Sequence, residues 1–115
     1  MGNDLGRISA ILSYCDSIEE KMNRFGRTFE DFTNETDFHE LCSLYIMQIG
    51  ENIKSLPPEM TKKYPDVHWR GIAGMRDIIA HGYEGIDLAR IWYAITDDIP
   101  VLRDACEKIL IELRS

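Results

Sequence analysis

The sequence predicts an all-α protein, an antiparallel four-helix bundle with a kinked last helix, over a single domain of residues 1–115. Apolar residues recur every three or four positions through four long stretches, which is the pattern of amphipathic helices. The sequence has neither period-two alternation nor an Asn-Gly or Asp-Gly hairpin turn, so no strand is predicted. Helices joined by short links favour antiparallel neighbours. A hydrophobic share of 44% and a charged share of 29% are typical of a soluble globular chain.

The first helix is predicted over residues 4–25. Asn3 or Asp4 can cap its start, and Gly26 is placed to end it. Its apolar stripe consists of Leu5, Ile8, Ile11, Leu12, Cys15, Ile18, Met22 and Phe25. One continuous stripe of this length predicts that the helix packs against the rest of the protein along its whole length.

A polar connection follows over residues 27–36. Its two aromatic residues, Phe29 and Phe32, are expected to contact the core. Asn34 or Thr36 is placed to cap the next helix.

The second helix is predicted over residues 37–56. Its stripe consists of Phe38, Leu41, Cys42, Tyr45, Ile46, Ile49, Ile53 and Leu56. Gly50 lies inside this helix, where glycine costs about 1 kcal/mol relative to alanine, so it indicates a close approach of another helix. Pro57 and Pro58 end the helix.

The third helix is predicted over residues 67–81, with Asp66 as its cap. Its apolar positions are Trp69, Ile72, Ala73, Met75, Ile78 and Ile79. Gly71 and Gly74 are expected to let another backbone approach, and Gly82 is placed to end the helix.

The last helix is predicted over residues 88–113, capped by Asp87. Its stripe consists of Leu88, Ile91, Trp92, Ile95, Ile99, Leu102, Cys106, Ile109 and Leu113. Pro100 falls inside it and must kink or divide it, because proline has no amide hydrogen and its ring strikes the preceding turn.

The net charge of −7 argues against a sequence-blind nucleic-acid binder with a broad basic face, and no DNA partner is expected. Lys62, Lys63, Arg70 and Arg76 form a sparse basic stretch. Most of that stretch is predicted to be a solvated face, but it is the only part of this acidic chain that could attract RNA.

The three cysteines, Cys15, Cys42 and Cys106, are far apart and lack CxxC spacing, which predicts buried free thiols in a reducing, cytoplasmic setting. The polar N-terminus predicts no signal peptide, and no run approaches the ~18 apolar residues of a membrane span. His39 and Cys42 could share a helix face, but a metal needs more ligands and only His68 is left. Neither a metal nor a cofactor is therefore expected.

The stretch GMRDIIAHGYEG, residues 74–85, carries the candidate chemistry. Arg76 and His81 are five residues apart, which places them about 140° apart around a straight helix. Either the helix ends near His81 and frees its side chain, or two chains pair and each supplies part of one site. A guanidinium fork suits phosphate and an imidazole can move a proton, so the pair fits transfer at a phosphodiester. The structural alternative is an ion pair of Arg76 with Asp77 or Glu84, with His81 capping the helix.

The run from residue 48 to residue 92, QIGENIKSLPPEM…YPDVHWRGIAGMRDIIAHGYEGIDLARIW, closely resembles the HepT-like branch of the HEPN superfamily. The shared features are IGE on the second helix, a Trp before the third, GMRDIIAHGY, the following GID, and Ile99-Pro100. The resemblance implies an all-α bundle that dimerises and acts as a metal-independent endoribonuclease. It assigns Arg76 and His81 as catalytic residues at the dimer interface, with Asp77 as the supporting polar residue.

The resemblance also implies the toxin of a type VII-like toxin–antitoxin pair. The expected partner is an MNT-type nucleotidyltransferase that neutralises the toxin by attaching AMP to Tyr83. From the residues alone, Tyr83 is either half-buried packing or a hydroxyl that meets substrate or accepts a modification.

The expected reaction is attack of a ribose 2′-hydroxyl on the adjacent phosphate of an RNA, for which tRNA is a plausible class. In a dimer, one His81 acts as the base and the other as the acid, while the two Arg76 side chains hold the phosphate. The alternative function is a non-catalytic helical dimer that docks a nucleotidyltransferase or binds a nucleotide through Arg76.

Overall fold

The computed structural model describes residues 3–82 and 87–115, and this part of the chain is helical with short connections and contains no strand. The elements are α1 (Asp4–Phe25), α2 (Phe29–Asn34), α3 (Thr36–Lys54), α4 (Pro58–Thr61), α5 (Trp69–His81) and α6 (Leu88–Tyr93), followed by a π-helical turn (Ala94–Asp98) and α7 (Ile99–Arg114). The prediction of an all-α chain is therefore confirmed for the described residues. The four predicted long helices correspond to α1, α3, α5 and the segment from α6 to α7.

The core forms where α3 packs between α1 and α5, with α7 against the other side of α1. The predicted stripes supply most of its side chains, as amphipathic helices should. Three stripe residues are exposed instead: Leu5, Ile78 and Leu113 are 42%, 36% and 40% accessible. Of these, Ile78 lies on α5, beside the candidate site. In the described residues, no helix is both long and apolar enough to cross a membrane.

The connection after α1 contains a short helix that the sequence analysis did not predict. Thr28 accepts a hydrogen bond from the Asp31 amide and the Asp31 carboxylate accepts one from the Thr28 amide, which is a capping box. Phe32 is fully buried and lies 5.1 Å from the rings of Phe38 and Trp92, as predicted. Phe29 is 42% exposed, so the prediction that it contacts the core is wrong.

Three of the predicted helix caps are also wrong, the first being Asn3, which precedes α1 but makes no capping hydrogen bond through its side chain. Glu35 precedes α3 and His68 precedes α5, and neither side chain caps its helix. Neither Asn34 nor Thr36 therefore accepts a capping hydrogen bond from the first amides of α3. Asp66 likewise accepts none from the first amides of α5. Asp87 does cap α6, because its carboxylate accepts a hydrogen bond from the Ala89 amide at 2.9 Å.

Gly50 marks a close approach of α3 and α5, as predicted. A β-carbon at Gly50 would lie 2.9 Å from the Arg76 β-carbon and 3.2 Å from the Ala73 carbonyl oxygen. The expectation that Gly71 and Gly74 let another backbone approach α5 is wrong. A β-carbon at Gly71 would meet the His68 side chain, and one at Gly74 would meet no atom of another described segment within 4 Å.

The last predicted helix is divided at Pro100. The π-helical turn precedes it, and the Ile99 amide donates to the Ala94 carbonyl, five residues back. Pro100 then takes the second position of α7, where its missing amide hydrogen costs little. The wide turn is the means by which the chain accommodates a proline inside a long helical segment.

Candidate functional site

Arg76 projects from α5 toward α3 and is held by two carboxylates. Its Nε lies against the Glu51 carboxylate of α3, in a contact without hydrogen-bond geometry. Its Nη1 donates to Asp77 Oδ1 at 3.2 Å. About a third of the side chain remains accessible. The close approach at Gly50 sets this arrangement, since it brings Glu51, the next residue of α3, to the base of the arginine.

Asp77 is the centre of the ionic contacts. Its Oδ1 also accepts a hydrogen bond from Lys54 Nζ at 2.9 Å, which joins α3 and α5 a second time. The hydrogen bonds from Lys54 and Arg76 hold the pKa of the Asp77 carboxyl below its usual value. Glu51, Lys54, Arg76 and Asp77 thus form a group of two positive and two negative charges.

His81 is the last residue of α5 and is exposed. Its Nδ1 lies 2.8 Å from the Asp77 backbone carbonyl. A carbonyl oxygen can only accept, so Nδ1 carries the hydrogen, and in the neutral imidazole Nε2 has the free lone pair. The ring therefore has a fixed tautomer and a proton acceptor available for chemistry.

The predicted end of α5 at Gly82 is confirmed. Gly82 has a φ of −174°, which is extended backbone open to any residue, so the stop does not depend on glycine. Tyr83, the predicted modification site, and Glu84, one alternative partner of Arg76, lie outside the described residues. Both remaining parts of the structural alternative are present: Arg76 pairs with Asp77, and His81 caps the end of α5 through the Asp77 carbonyl.

The structure relates Arg76 and His81 through Asp77. The arginine reaches its carboxylate and the histidine reaches its backbone carbonyl, so the two side chains approach one residue from opposite sides. The sequence analysis did not single out Glu51 as part of this group. The signal was present, because Glu51 directly follows the glycine that predicted a close helix contact.

An apolar surface borders the site. Leu44 of α3 is 49% exposed and Ile78 of α5 is 36% exposed. A shallow depression of about 460 Å³ is lined by Leu44 and Met47 of α3 and by Ile79 and Ala80 of α5. We call Leu44, Met47 and Ala80 the apolar patch.

Only part of the basic stretch is free of ion pairs with described residues. Lys63 pairs with Glu112 at 3.8 Å, while Lys62 and Arg70 contact no carboxylate among the described residues. Arg70 lies on the same helix as Arg76 and His81.

The cysteines are buried free thiols, as predicted. Burial raises the pKa of Cys15, Cys42 and Cys106 to about 12 in each case.

Arg76, Asp77 and His81 thus lie together on α5 of a helical chain. Residues 11–109 match the family described as Ribonuclease HepT-like, and the chain belongs to that family.

Its relatives include a putative RNase of Caldanaerobacter subterraneus subsp. tengcongensis, 36% identical over 100 residues, which cover 87% of this chain and 88% of the relative. A probable ribonuclease HepT of Thermococcus cleftensis is 37% identical over 83 residues, covering 70% of this chain and 74% of the relative. A putative RNase of Methanocaldococcus jannaschii is 32% identical over 103 residues, covering 90% and 87%. No solved structure gives a significant match.

Proposed function

We propose that this protein is a metal-independent endoribonuclease that cleaves RNA with Arg76 and His81. The observation that carries the proposal is the arrangement at Asp77, which orients a phosphate-binding side chain and a proton-transfer side chain on one helix. Membership of the HepT-like family supports RNA as the substrate.

In the proposed reaction, a ribose 2′-hydroxyl attacks the adjacent phosphorus and the 5′-oxygen leaves. The His81 Nε2 accepts the 2′-hydroxyl proton, because Nδ1 is occupied by the Asp77 carbonyl. A second His81, in its protonated form, gives a proton to the leaving oxygen. Arg76 holds the phosphate and stabilises its developing charge. The products are a 2′,3′-cyclic phosphate and a 5′-hydroxyl.

The second histidine requires a second chain, and the apolar patch supports its docking beside the site. Leu44 exposes apolar area on α3, beside the end of α5 that carries His81. A two-fold axis through this face would bring both copies of Arg76 and His81 to one groove. Leu44→Lys should therefore shift the protein toward monomer in sedimentation. Ile111→Lys is the control, because Ile111 is 69% exposed on α7 and carries the same change away from this face.

The test of the activity is cleavage of RNA, with tRNA as the first substrate, by the purified protein in excess EDTA. Arg76→Ala and His81→Ala should each lower the rate by at least about 100-fold, as loss of a phosphate ligand or a proton-transfer group does. Arg114→Ala removes an exposed arginine elsewhere and should leave the rate unchanged. Undiminished cleavage by both site variants would contradict the assignment of Arg76 and His81 as catalytic residues. Absent cleavage by the unaltered protein would favour a non-catalytic docking dimer instead.

We also propose that the protein is the toxin of a toxin–antitoxin pair, switched off when a nucleotidyltransferase attaches AMP to Tyr83. The resemblance of the segment His81-Gly82-Tyr83, which begins with the proposed catalytic histidine, supports this. Incubation with the MNT-type nucleotidyltransferase and ATP should raise the mass by one or more AMP units and stop cleavage. Tyr83→Phe should retain cleavage and gain no mass. A mass increase that persists in this variant would contradict the assignment.

A further inference from the structure

A second depression lies at the opposite end of the α3–α5 face from the apolar patch. Its volume is about 460 Å³. The buried side chains of Ile53, Leu56 and Val67 contribute to its lining, and Trp69 and Arg70 from the first turn of α5 also line it. It thus combines an apolar surface, an aromatic ring and a cation.

The indole of Trp69 is fixed in place. Its Nε1 donates to the Tyr64 carbonyl at 3.0 Å, and the side chain is only partly buried. The neighbouring His68 ring packs over Gly71, where an added β-carbon would lie 2.2 to 2.5 Å from its ring atoms, and its Nδ1 lies 3.8 Å from Asp98 Oδ2. Two aromatic rings therefore line the depression, and that of Trp69 is held by a hydrogen bond.

Arg70 is the unpaired cation of this face. Lys54 and Arg76 both contact carboxylates, whereas Arg70 is exposed and makes no hydrogen bond or ion pair with any described residue. In a chain with a net charge of −7, an unpaired guanidinium beside partly exposed aromatic rings is suited to an anionic ligand with a flat apolar part. A nucleotide has both features.

Arg70 is aligned with the candidate catalytic residues. Arg70, Gly74, Asp77 and His81 follow the i, i+4, i+7, i+11 spacing of one helix face. Eleven residues of α-helix separate Arg70 from His81 by about 16 Å along the axis. Gly74 lies between them, and a β-carbon there would meet no atom of another described segment within 4 Å, so this position of the face is open.

We propose that the depression at Trp69 and Arg70 is a nucleotide subsite, which binds the RNA strand a few nucleotides from the bond that is cut. A base stacks on Trp69 and a phosphate is bound by Arg70. This inference rests on the proposed ribonuclease function and adds to it the path of the substrate along α5.

The test is binding of a fluorescein-labelled single-stranded RNA to the full chain carrying His81→Ala, which separates binding from cleavage. Arg70→Ala should weaken binding about tenfold and lower the slope of log affinity against log salt by about 1, because one phosphate contact is lost. Arg70→Lys keeps the charge and should retain part of the affinity. Arg114 lines a different surface, between α1 and α7, so Arg114→Ala should change neither the affinity nor the salt slope.

Trp69 supplies an independent readout. Addition of RNA should quench the Trp69 fluorescence, and Trp69→Phe should abolish that quench while binding stays dependent on Arg70. In the catalytically intact chain, Arg70→Ala should raise KM and leave kcat unchanged.

Equal affinity and equal salt slope for Arg70→Ala and Arg114→Ala would overturn the subsite, and so would failure of the RNA to bind. If the subsite fails this test but cleavage still depends on Arg76 and His81, only the subsite is wrong. If RNA binds through Arg70 but is never cut, the proposed ribonuclease function fails while the subsite stands.

Discussion

Arg76 is balanced by carboxylates before any substrate arrives. Glu51 and Asp77 both contact it, and Lys54 offsets one of these negative charges. The contacts fix the arginine side chain, but they also occupy part of its donor fork. A bound phosphate must therefore replace or share these carboxylate contacts, which makes Glu51 a positioning residue for Arg76.

Glu51→Gln should lower kcat for RNA cleavage by about tenfold, because Arg76 loses one of the two groups that orient it. The stability should change by less than about 1 kcal/mol, as is usual for exposed ion pairs. Cleavage kinetics and urea denaturation measure the two effects. Glu19→Gln, which removes a carboxylate from the exposed pair with Arg27, is the control and should alter neither. An unchanged kcat for Glu51→Gln would show that Asp77 alone orients Arg76.

The buried thiols make a prediction about pH. The pKa of each is raised by burial from the ordinary value of 9.0 to about 12 in the folded protein. Their contribution to stability is therefore complete below pH 9.0 and is lost as the pH rises from there toward 12. At pH 8, iodoacetamide should label Cys15, Cys42 and Cys106 only at the rate of unfolding. Rapid labelling of any one of them in the folded protein would contradict its burial.

At the scale of the elements, the contact between α3 and α5 positions the site. Gly50 permits that contact, since an added β-carbon would lie 2.9 Å from the Arg76 β-carbon and 3.2 Å from a carbonyl oxygen of α5. Gly74, also inside a helix, faces open space in the described part of the chain. The two glycines therefore offer a matched pair of substitutions.

Gly50→Ala should destabilise the protein by about 1–3 kcal/mol, because overpacking outweighs the gain in helix propensity. Gly74→Ala should stabilise it by up to about 1 kcal/mol, because only the propensity changes. Urea denaturation measures both. If RNA passes close to Gly74, the same alanine should also weaken cleavage despite the added stability. Equal stability changes for the two variants would show that α3 and α5 do not approach closely at Gly50.

How well each feature could be predicted from the sequence depends on whether it is set along one helix, by local backbone angles, or by contacts between helices. Apolar periodicity reports burial along a whole helix, so the ranges of the long helices were predicted to within two residues at each end. The caps at Asp66 and Thr36 were wrong because a cap depends on local backbone angles that a residue type does not determine. For the site, Arg76 and His81 could be named from their spacing. The contacts of Arg76 with Glu51 and of Asp77 with Lys54 could not, because these require the register of α3 against α5.

At the scale of the whole molecule, the α3–α5 face has three parts in sequence: the apolar patch, the charged group, and the depression at Trp69. A net charge of −7 leaves RNA binding dependent on this local arrangement rather than on a general attraction. The central claim is that Arg76 and His81 act together in a groove completed by a second copy of the chain.

Cleavage by a mixed dimer tests that claim most directly. Unaltered and His81→Ala chains with different affinity tags are produced together, and the mixed pair is isolated through both tags. The mixed dimer keeps both Arg76 side chains but only one His81, so the shared groove lacks either its base or its acid. We expect the mixed dimer to cleave RNA about as slowly as the His81→Ala dimer. A mixed dimer with about half the rate of the unaltered dimer, or the failure of the two chains to pair, would contradict the shared groove.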